Sequence, residues 1–392
     1  MMKKFLLLLL FFMLYFLIIF SEDDPFKIPD MDMDINMNFN SDIENLFSEE
    51  FNKYFDEMNK EWEGHLKIMN EQWQELYKES QKEWDKYYKE YLIKEKKFLE
   101  NFEKIWGKPF EYSSQKWFEF SEDLKTFSEV SFKSDEKNKN GYLEVKTIIE
   151  KNESPEKAME KIKEQLKRTI SKKDEFTKKP VLENLIDKKQ IENPKIKKEK
   201  ETVDGKIIYK TKIPIIKNPF LEKAKQYIPI VNKISKKYGL PKPFILSIIQ
   251  KESSFLPYAR SRSGAMGLMQ LIPRYGATEA YIFLYKRKPN PRILVNELYN
   301  PEKNILYGSA YIYLLHTKYF KFEKEYSKRK YMVIAGYNMG PVAISKRVRG
   351  LNLEKMNLSG LYNYLLSNTR KETSDYLKKV LEYERNWVKI YP

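Results

Sequence analysis

The sequence predicts a mainly helical α+β protein, with a long aromatic-striped helix, a small mixed α/β unit and an all-α C-terminal domain following one another. Three observations carry that prediction. Phe51, Trp62, Trp73 and Trp84 recur every eleven residues, close to three turns of one helix face. Short alternating segments bounded by turn residues lie between Val130 and Ile213, as strands do. Beyond Asn218 the apolar pattern is helical nearly to the end, with loops near Gly264, Pro289 and Gly340.

From the N-terminus, Lys3 and Lys4 precede an unbroken apolar run from Phe5 to Phe20, followed by acidic Ser21-Glu22-Asp23-Asp24. This reads as an export signal. Its sixteen apolar residues are long for a signal core and short for a span, which needs about 20. Residues 1–21 are therefore either a cleaved signal peptide, with Ile19 and Ser21 as a weak cleavage site, or a retained membrane anchor. Residues 22–48, rich in Asp, Asn and Met, read as an acidic solvated tether.

The helix expected over 49–106 carries a second row four residues on, Phe55, Leu66, Tyr77, Tyr88 and Leu99, and a third, Met58, Met69, Tyr91 and Phe102, with Ser80 as its gap. Two readings of this Phe51–Phe102 stripe stand side by side: a surface for self-association or a protein partner, and a face packed on its own domain. Trp106-Gly107 ends the helix, because Gly suits the C′ position and Pro109 forbids continuation. In the mixed unit, residues 107–217, strands are expected at Val130–Phe132 and Tyr142–Ile149, joined by a polar turn ending in Asn140-Gly141. Ser154 offers an N-cap with Pro155 at N1 for a helix to about Ile170. The Lys-rich stretch 171–202 reads as a linker with a helical turn near Val181 to Ile186, and Lys206–Ile213 as a strand closed by Pro214.

Composition narrows the chemistry. The chain has no cysteine and only His65 and His316, which leaves no thiolate site, no histidine-rich metal centre and little room for a Ser-His-Asp triad. Neither metal nor cofactor is expected. The formal charge of +16 is concentrated in residues 220–392, where 31 Lys/Arg less 12 Asp/Glu leaves +19. Such a domain suits a polyanion, whether nucleic acid, anionic lipid or a carboxylate-bearing wall. Export speaks against nucleic acid.

One carboxylate stands out. On a helix beginning near Pro241, Ile245, Ile248 and Ile249 are continued at helical spacing by Glu252, so the acid extends an apolar stripe. Held against Ile and Phe255, it would be desolvated and its pKa raised into the range useful to a general acid. The plain alternative is a glutamate at a fraying helix end that reaches water. Between Glu222 and Glu279 it is the only acidic residue. Most glycosidases use two carboxylates, but a lone acid suffices where the substrate's own acetamido group assists.

At these residues the chain resembles a known family. Glu252-Ser253-Ser254-Phe255, Ser261, Gly264-Ala265, Gly267-Leu268-Met269-Gln270 and Gly336-Tyr337-Asn338 are similar to the lysozyme-like lytic transglycosylase domain of the soluble lytic murein transglycosylase type. Asn300-Pro301 with Asn304-Ile305, Gly308 and Tyr311, and Glu372-Thr373 with Tyr376 and Lys379-Val380, resemble further motifs of that domain, with Asn300 where aspartate is usual. Phe98 to Gly107, the strands after it and Lys206–Ile213 are similar to the N-terminal part of membrane-bound lytic murein transglycosylase C. The resemblance gives residues 218–392 as a lysozyme-like domain that cleaves the β-1,4 bond between N-acetylmuramic acid and N-acetylglucosamine in peptidoglycan strands and leaves 1,6-anhydromuramic acid.

In that family's terms Glu252 is acid and then base. Ser261 and Gln270 hydrogen-bond the sugar or its acetamido arm, Tyr337 orients Glu252, and Asn338 contacts substrate or fixes its loop. Tyr376 joins the substrate-binding set, Gly267 lets backbone approach the glycan, and Met269 either walls the cleft or packs in the core. Gly336 stands where alanine is common and Met339 where a small residue is frequent. The type C enzymes are lipoproteins, and a chain without cysteine is not; an exported, periplasmic protein is expected, either held to the inner membrane by Phe5–Phe20 or released. Two rivals remain: a goose-type lysozyme-like hydrolase, for which Glu279 or Glu302 would position water, and a non-enzymatic peptidoglycan-binding scaffold.

Overall fold

The structure, a computed structural model, describes residues 41–133, 140–201 and 205–391. The expected signal or anchor segment Phe5–Phe20 and most of the expected tether lie outside the described residues. The chain divides into two compact units, Met1–Met69 and Asn70–Pro392. In the first, the described residues belong to helix α1, Ser41–Trp106. It begins well before residue 49, so the last part of the expected tether is helical. At its other end Gly107 takes φ 65° and donates its N–H to Glu103 O at 2.8 Å, the left-handed exit the sequence indicates.

In the second unit the aromatic stripe of α1 is buried against its own unit. Trp84 is fully buried and donates Nε1–H to Thr278 Oγ1 at 2.8 Å. Ser80, the gap in the stripe, is also fully buried, its hydroxyl turned back on Leu76 O, so the small residue marks a tight contact and not an exposed break. Charges line the margins: Arg274 pairs with Asp85 at 2.7 Å and Lys288 with Glu79 and Glu83 at 3.5 Å. From Trp73 onward the stripe therefore has its partner within the chain, and the reading of it as a surface for another molecule does not hold there.

The end of α1 then covers a five-stranded antiparallel sheet of order β1-β2-β3-β5-β4, with β1 Lys116–Phe120, β2 Thr126–Ser131, β3 Tyr142–Ile149, β4 Lys197–Glu201 and β5 Ile207–Pro214. Alternation along the strands divides the faces. Phe127, Ile148 and Ile208 meet Phe102 and Trp106 of α1. Val130, Leu143, Val145 and Ile213 meet Ile162 and Leu166 of α2, Pro155–Ser171. Gly141 (φ 99°) turns into β3 so closely that a Cβ there would lie 2.1 Å from Ser131 O.

Two expectations are corrected here. Ser154 occupies the N-cap of α2, but its side chain makes no capping bond. The Lys-rich stretch is no free linker: Val181, Leu182, Leu185 and Ile186 are buried in the sheet's core, a short α3 (Lys188–Glu192) follows, and β4 forms. Few apolar residues among many lysines suffice, because long basic side chains keep their heads in water while the spaced apolar ones insert. β4, written Lys-Lys-Glu-Lys-Glu, is an edge strand with a bulge between Lys198 and Lys200, where charge guards an open edge.

The rest is helical: α4 Pro219–Tyr238, α5 Lys242–Ser253, α6 Thr278–Tyr285, α7 Pro291–Glu297, α8 Pro301–Leu314, α9 Tyr326–Met339, α10 Pro341–Val348, α11 Leu358–Asn368 and α12 Lys371–Val388, with single π-turns at Pro273–Ala277 and Leu315–Tyr319. Asn218 caps α4 through Phe220 N and Leu221 N, and Gly239 (φ 63°) ends it. Helix α5 is buried along most of its length, including Ile245, Ile248 and Ile249. Among the described residues no helix is long and apolar enough to cross a membrane.

Trp84→Ala removes both a fully buried anchor of α1 and the donor to Thr278. A loss of about 3–5 kcal/mol is expected, read as a lowered midpoint in urea unfolding of the full chain.

Candidate active site

Glu252 lies in the last turn of α5, one residue before the helix ends. The exit is abrupt: Ser254 (φ 52°) and Phe255 (φ 62°) are both left-handed, uncommon for a non-glycine residue and more so for a bulky one. Packing holds them. Phe255 is fully buried between Trp387 of α12 and Phe220 of α4, with ring centroids at 5.8 and 6.4 Å. Ser253 donates its hydroxyl to Leu268 O at 2.7 Å, and Trp387 donates Nε1–H to Gln250 Oε1 at 2.8 Å. The helix end that carries the acid is thus tied to three neighbours.

Burial pushes the Glu252 carboxyl up to about 7, against a hydrogen bond from Tyr376 and the charge of Lys251, which pull it down, and Glu372, which adds to the rise. Tyr376 OH donates to Glu252 Oε1 at 2.6 Å. A carboxyl so placed is part protonated and part ionised near neutral pH, able to give a proton and take one back. The reading of Glu252 as a surface glutamate at a fraying end is set aside.

Tyr337 does not orient Glu252 directly. Its hydroxyl donates to Met269 O at 2.8 Å, and its ring lies 5.7 Å from that of Tyr311. The orienting phenol is Tyr376. Both phenols are buried beside the carboxylate, which keeps them protonated and therefore donors. Asn338 follows on α9 and accepts from Thr373 Oγ1 at 2.7 Å, so α9 and α12 are joined beside the site by that pair.

The loop 259–271 is built from its own backbone. Arg260 bridges Met266, and Met266 bridges Leu271. Ser261 spends its hydroxyl on Ala265 N at 2.9 Å and on Ser263. Gln270 (φ 47°) donates its amide to Ala259 O and Gly267 O at 3.0 and 2.9 Å. Asn304 of α8, fully buried, accepts from Met269 N at 2.7 Å and donates to Met266 O and Leu298 O. A Cβ at Gly267 would lie 2.1 Å from Leu298 O and 2.3 Å from Asn304 Nδ2; the glycine is required for an internal approach. Met269 is fully buried against Gly308, where a Cβ would meet its Sδ at 2.3 Å, so it is core and not cleft wall.

Two groups that carry the site are not singled out for it by the sequence. Asn304 was visible only as part of a helix-start motif. Gln115, before β1, donates Nε2–H to Lys251 O and Glu252 O at 2.9 and 2.6 Å, and its Oε1 accepts from Ser254 Oγ. The other acids fall elsewhere. Glu279 is buried and accepts from Tyr319 OH at 2.7 Å, its carboxyl raised by burial; Glu302 is exposed in the first turn of α8. Neither is bonded to any residue placed around Glu252.

Residues 229–356 match the family described as Transglycosylase SLT domain, a stretch that runs from within α4 through α5, α8 and α9. Over 198 residues the chain is 32% identical to membrane-bound lytic murein transglycosylase C of Edwardsiella ictaluri, covering 49% of this chain and 54% of that protein. The protein of the same name from Pectobacterium atrosepticum is 32% identical over 196 residues, 48% of this chain and 54% of the relative. The chain therefore spans about half the length of these curated relatives. Among solved structures, that of an inactive mutant of the lytic transglycosylase Slt from Pseudomonas aeruginosa shares 26% identity over 40% of this chain and 23% of its own, with a TM-score of 0.33. The family likeness seen in the motifs around Glu252 is thus found again in the domain match and in the relatives' names.

Tyr376→Phe removes the one hydrogen bond that favours the Glu252 anion. The carboxyl should then titrate above its present value of about 7; a carbon-13 NMR titration of the labelled side chain reads the direction, and a fall would contradict the assignment of Tyr376.

Proposed function

We propose that this chain is a lytic transglycosylase that cleaves the β-1,4 bond between N-acetylmuramic acid and N-acetylglucosamine in peptidoglycan, with formation of 1,6-anhydromuramic acid. The observation that carries the reading is the desolvated Glu252 carboxyl, raised to about 7 at the end of α5 and held by Tyr376. The domain match over 229–356 and the relatives named lytic murein transglycosylase support the substrate class.

Glu252, protonated, gives its proton to the glycosidic oxygen as the bond to muramyl C1 breaks. The substrate's 2-acetamido oxygen bonds to C1 in its place. Glu252, now a carboxylate, takes the proton of the C6 hydroxyl, whose oxygen displaces the acetamido group and closes the anhydro ring. No water is consumed, and the carboxyl ends in the protonation state in which it began. Tyr376 keeps the carboxyl oriented through both steps. Ser261 and Asn338, each partly exposed, are the groups offered to the sugar; Gly267, Met269, Gln270 and Tyr337 shape the floor from beneath. The basic surface of residues 220–392 suits the carboxylates of wall peptide stems. The Lys-flanked apolar segment Phe5–Phe20 would bring the chain to the periplasm and, if retained, hold it to the inner membrane.

The test is digestion of purified peptidoglycan by the full chain, with mass analysis of the fragments. Anhydro-ended fragments are expected; reducing-end muramic acid would mark a hydrolase, and no release would leave a wall-binding scaffold. Glu252→Gln should lower the rate by at least about 100-fold, and the parent's rate should fall as pH rises past about 7, where the initiating acid is lost.

Stability should carry the same signature. Glu252 has a folded-state value of about 7, above the roughly 4.3 of a carboxyl in an unfolded chain. Its protonated form therefore contributes stability that is fully present below about pH 4 and is lost as pH rises through about 7. Glu252→Gln, neutral throughout, should be more stable than the parent at pH 8 by on the order of 1–3 kcal/mol. The difference should vanish near pH 4 in thermal melts across pH.

A further inference from the structure

We propose that Gln115, which lies outside the matched domain, is a positioning residue for Glu252: its side-chain amide completes the end of the catalytic helix from across the chain. The inference rests on the function just proposed for Glu252, and its geometry stands independently of the reaction.

The last four carbonyls of a helix have no partner within it. At the end of α5 these belong to Gln250, Lys251, Glu252 and Ser253. Gln250 O is met by Ser254 N and Ser253 O by Leu256 N, at 3.1 Å each. The left-handed pair Ser254-Phe255 turns the chain away, and the middle two carbonyls, of Lys251 and of Glu252 itself, are met by the two N–H groups of the Gln115 amide at 2.9 and 2.6 Å. Two carbonyl acceptors admit only the NH2 end of an amide, so Gln115 Oε1 must face Ser254, whose hydroxyl donates to it. One side chain thus bonds three residues of the helix end, Lys251, Glu252 and the left-handed Ser254.

Gln115 is itself held. Its N–H donates to Ser113 Oγ at 3.3 Å, and Ser113 forms a β-bridge with Arg260, at the edge of the 259–271 loop. Arg260 is pinned by Glu95 of α1 at 3.0 Å and lies over the rings of Tyr112 and Tyr91, at 4.1 and 5.4 Å. Residues 112–115 therefore reach both halves of the site, the loop through Ser113 and the helix end through Gln115. Around the carboxyl the charged and titratable neighbours are Tyr376, Lys251, Glu372 and Tyr337, and none of them belongs to this segment. Gln115 acts on backbone, fixing where the carboxyl sits without touching it.

The experiment compares Gln115→Leu and Gln115→Asn with the parent as full chains. Leucine keeps the volume and removes every bond; asparagine keeps an amide one methylene too short to span both carbonyls. Three quantities are read: kcat and KM on solubilised glycan strands, melting temperature, and the carbon-13 titration of Glu252. Expected are a loss of kcat on the order of tenfold, KM within about twofold, and Glu252 titrating below the parent, because a loosened helix end lets the carboxyl reach water.

A merely structural Gln115 would lower the melting temperature while kcat per folded molecule and the titration stayed at parental values; that result overturns the proposal. Should the leucine variant not fold, the asparagine variant decides alone by the same criteria. A parent chain that releases no wall fragment would count against the proposed function, while the titration would still report on Gln115.

Discussion

Helix α5 ends one residue after Glu252, with two successive non-glycine residues in the left-handed region, and the site is organised around that exit. Left-handed Ser254 and Phe255 each cost on the order of 1 kcal/mol or more. The cost is met by Phe255 buried against Trp387 and Phe220 and by Ser254 bonded to Gln115. What the exit provides is a carboxyl that leaves the helix at its rim, enclosed enough to be raised to about 7 yet still partly reached by solvent. A regular continuation of the helix would place the next turn over the same space.

The loop that faces this helix end is held with similar economy of parts. Asn304 bonds Met266, Met269 and Leu298 from within the core, Gln270 bonds two carbonyls of its own loop, and Tyr337 reaches Met269 O. Most of the polar side chains that a motif reading would aim at the sugar therefore aim at backbone. They shape the loop first. On the proposed function, specificity for a glycan arises from the surface so formed and from the groups left partly exposed, Ser261 and Asn338 among them.

Local features were legible in the sequence and distant ones were not. The helix stop at Gly107, the hairpin strand Tyr142–Ile149, the helix from Pro155 and the acid at the end of an apolar stripe each depend on neighbours within a turn or two. β1 was missed because five residues between polar turns carry too little alternation, and β4 because a charged edge strand has no apolar pattern to show. Tyr337 and Tyr376 both stand in motif-like runs, and only their spatial arrangement assigns the clamp to Tyr376. Gln115 lies 137 residues from Glu252, where no spacing rule applies. The stripe on α1 was visible, but whether it met its own chain or another depended on where the helix lies.

Arg260 shows what this arrangement means for modularity. It belongs to the loop beside the acid, yet its ion partner Glu95 lies on α1 and the rings beneath it, Tyr91 and Tyr112, lie on and just after that helix. Tyr376 and Trp387, on α12, fall beyond the other end of the matched stretch 229–356. The matched domain stretch is thus shorter at both ends than the segment that shapes the acid. Grafted alone onto another scaffold it would bring the glutamate without its surroundings, and exchange of parts among such proteins would have to move α1, the 112–115 segment and α12 together.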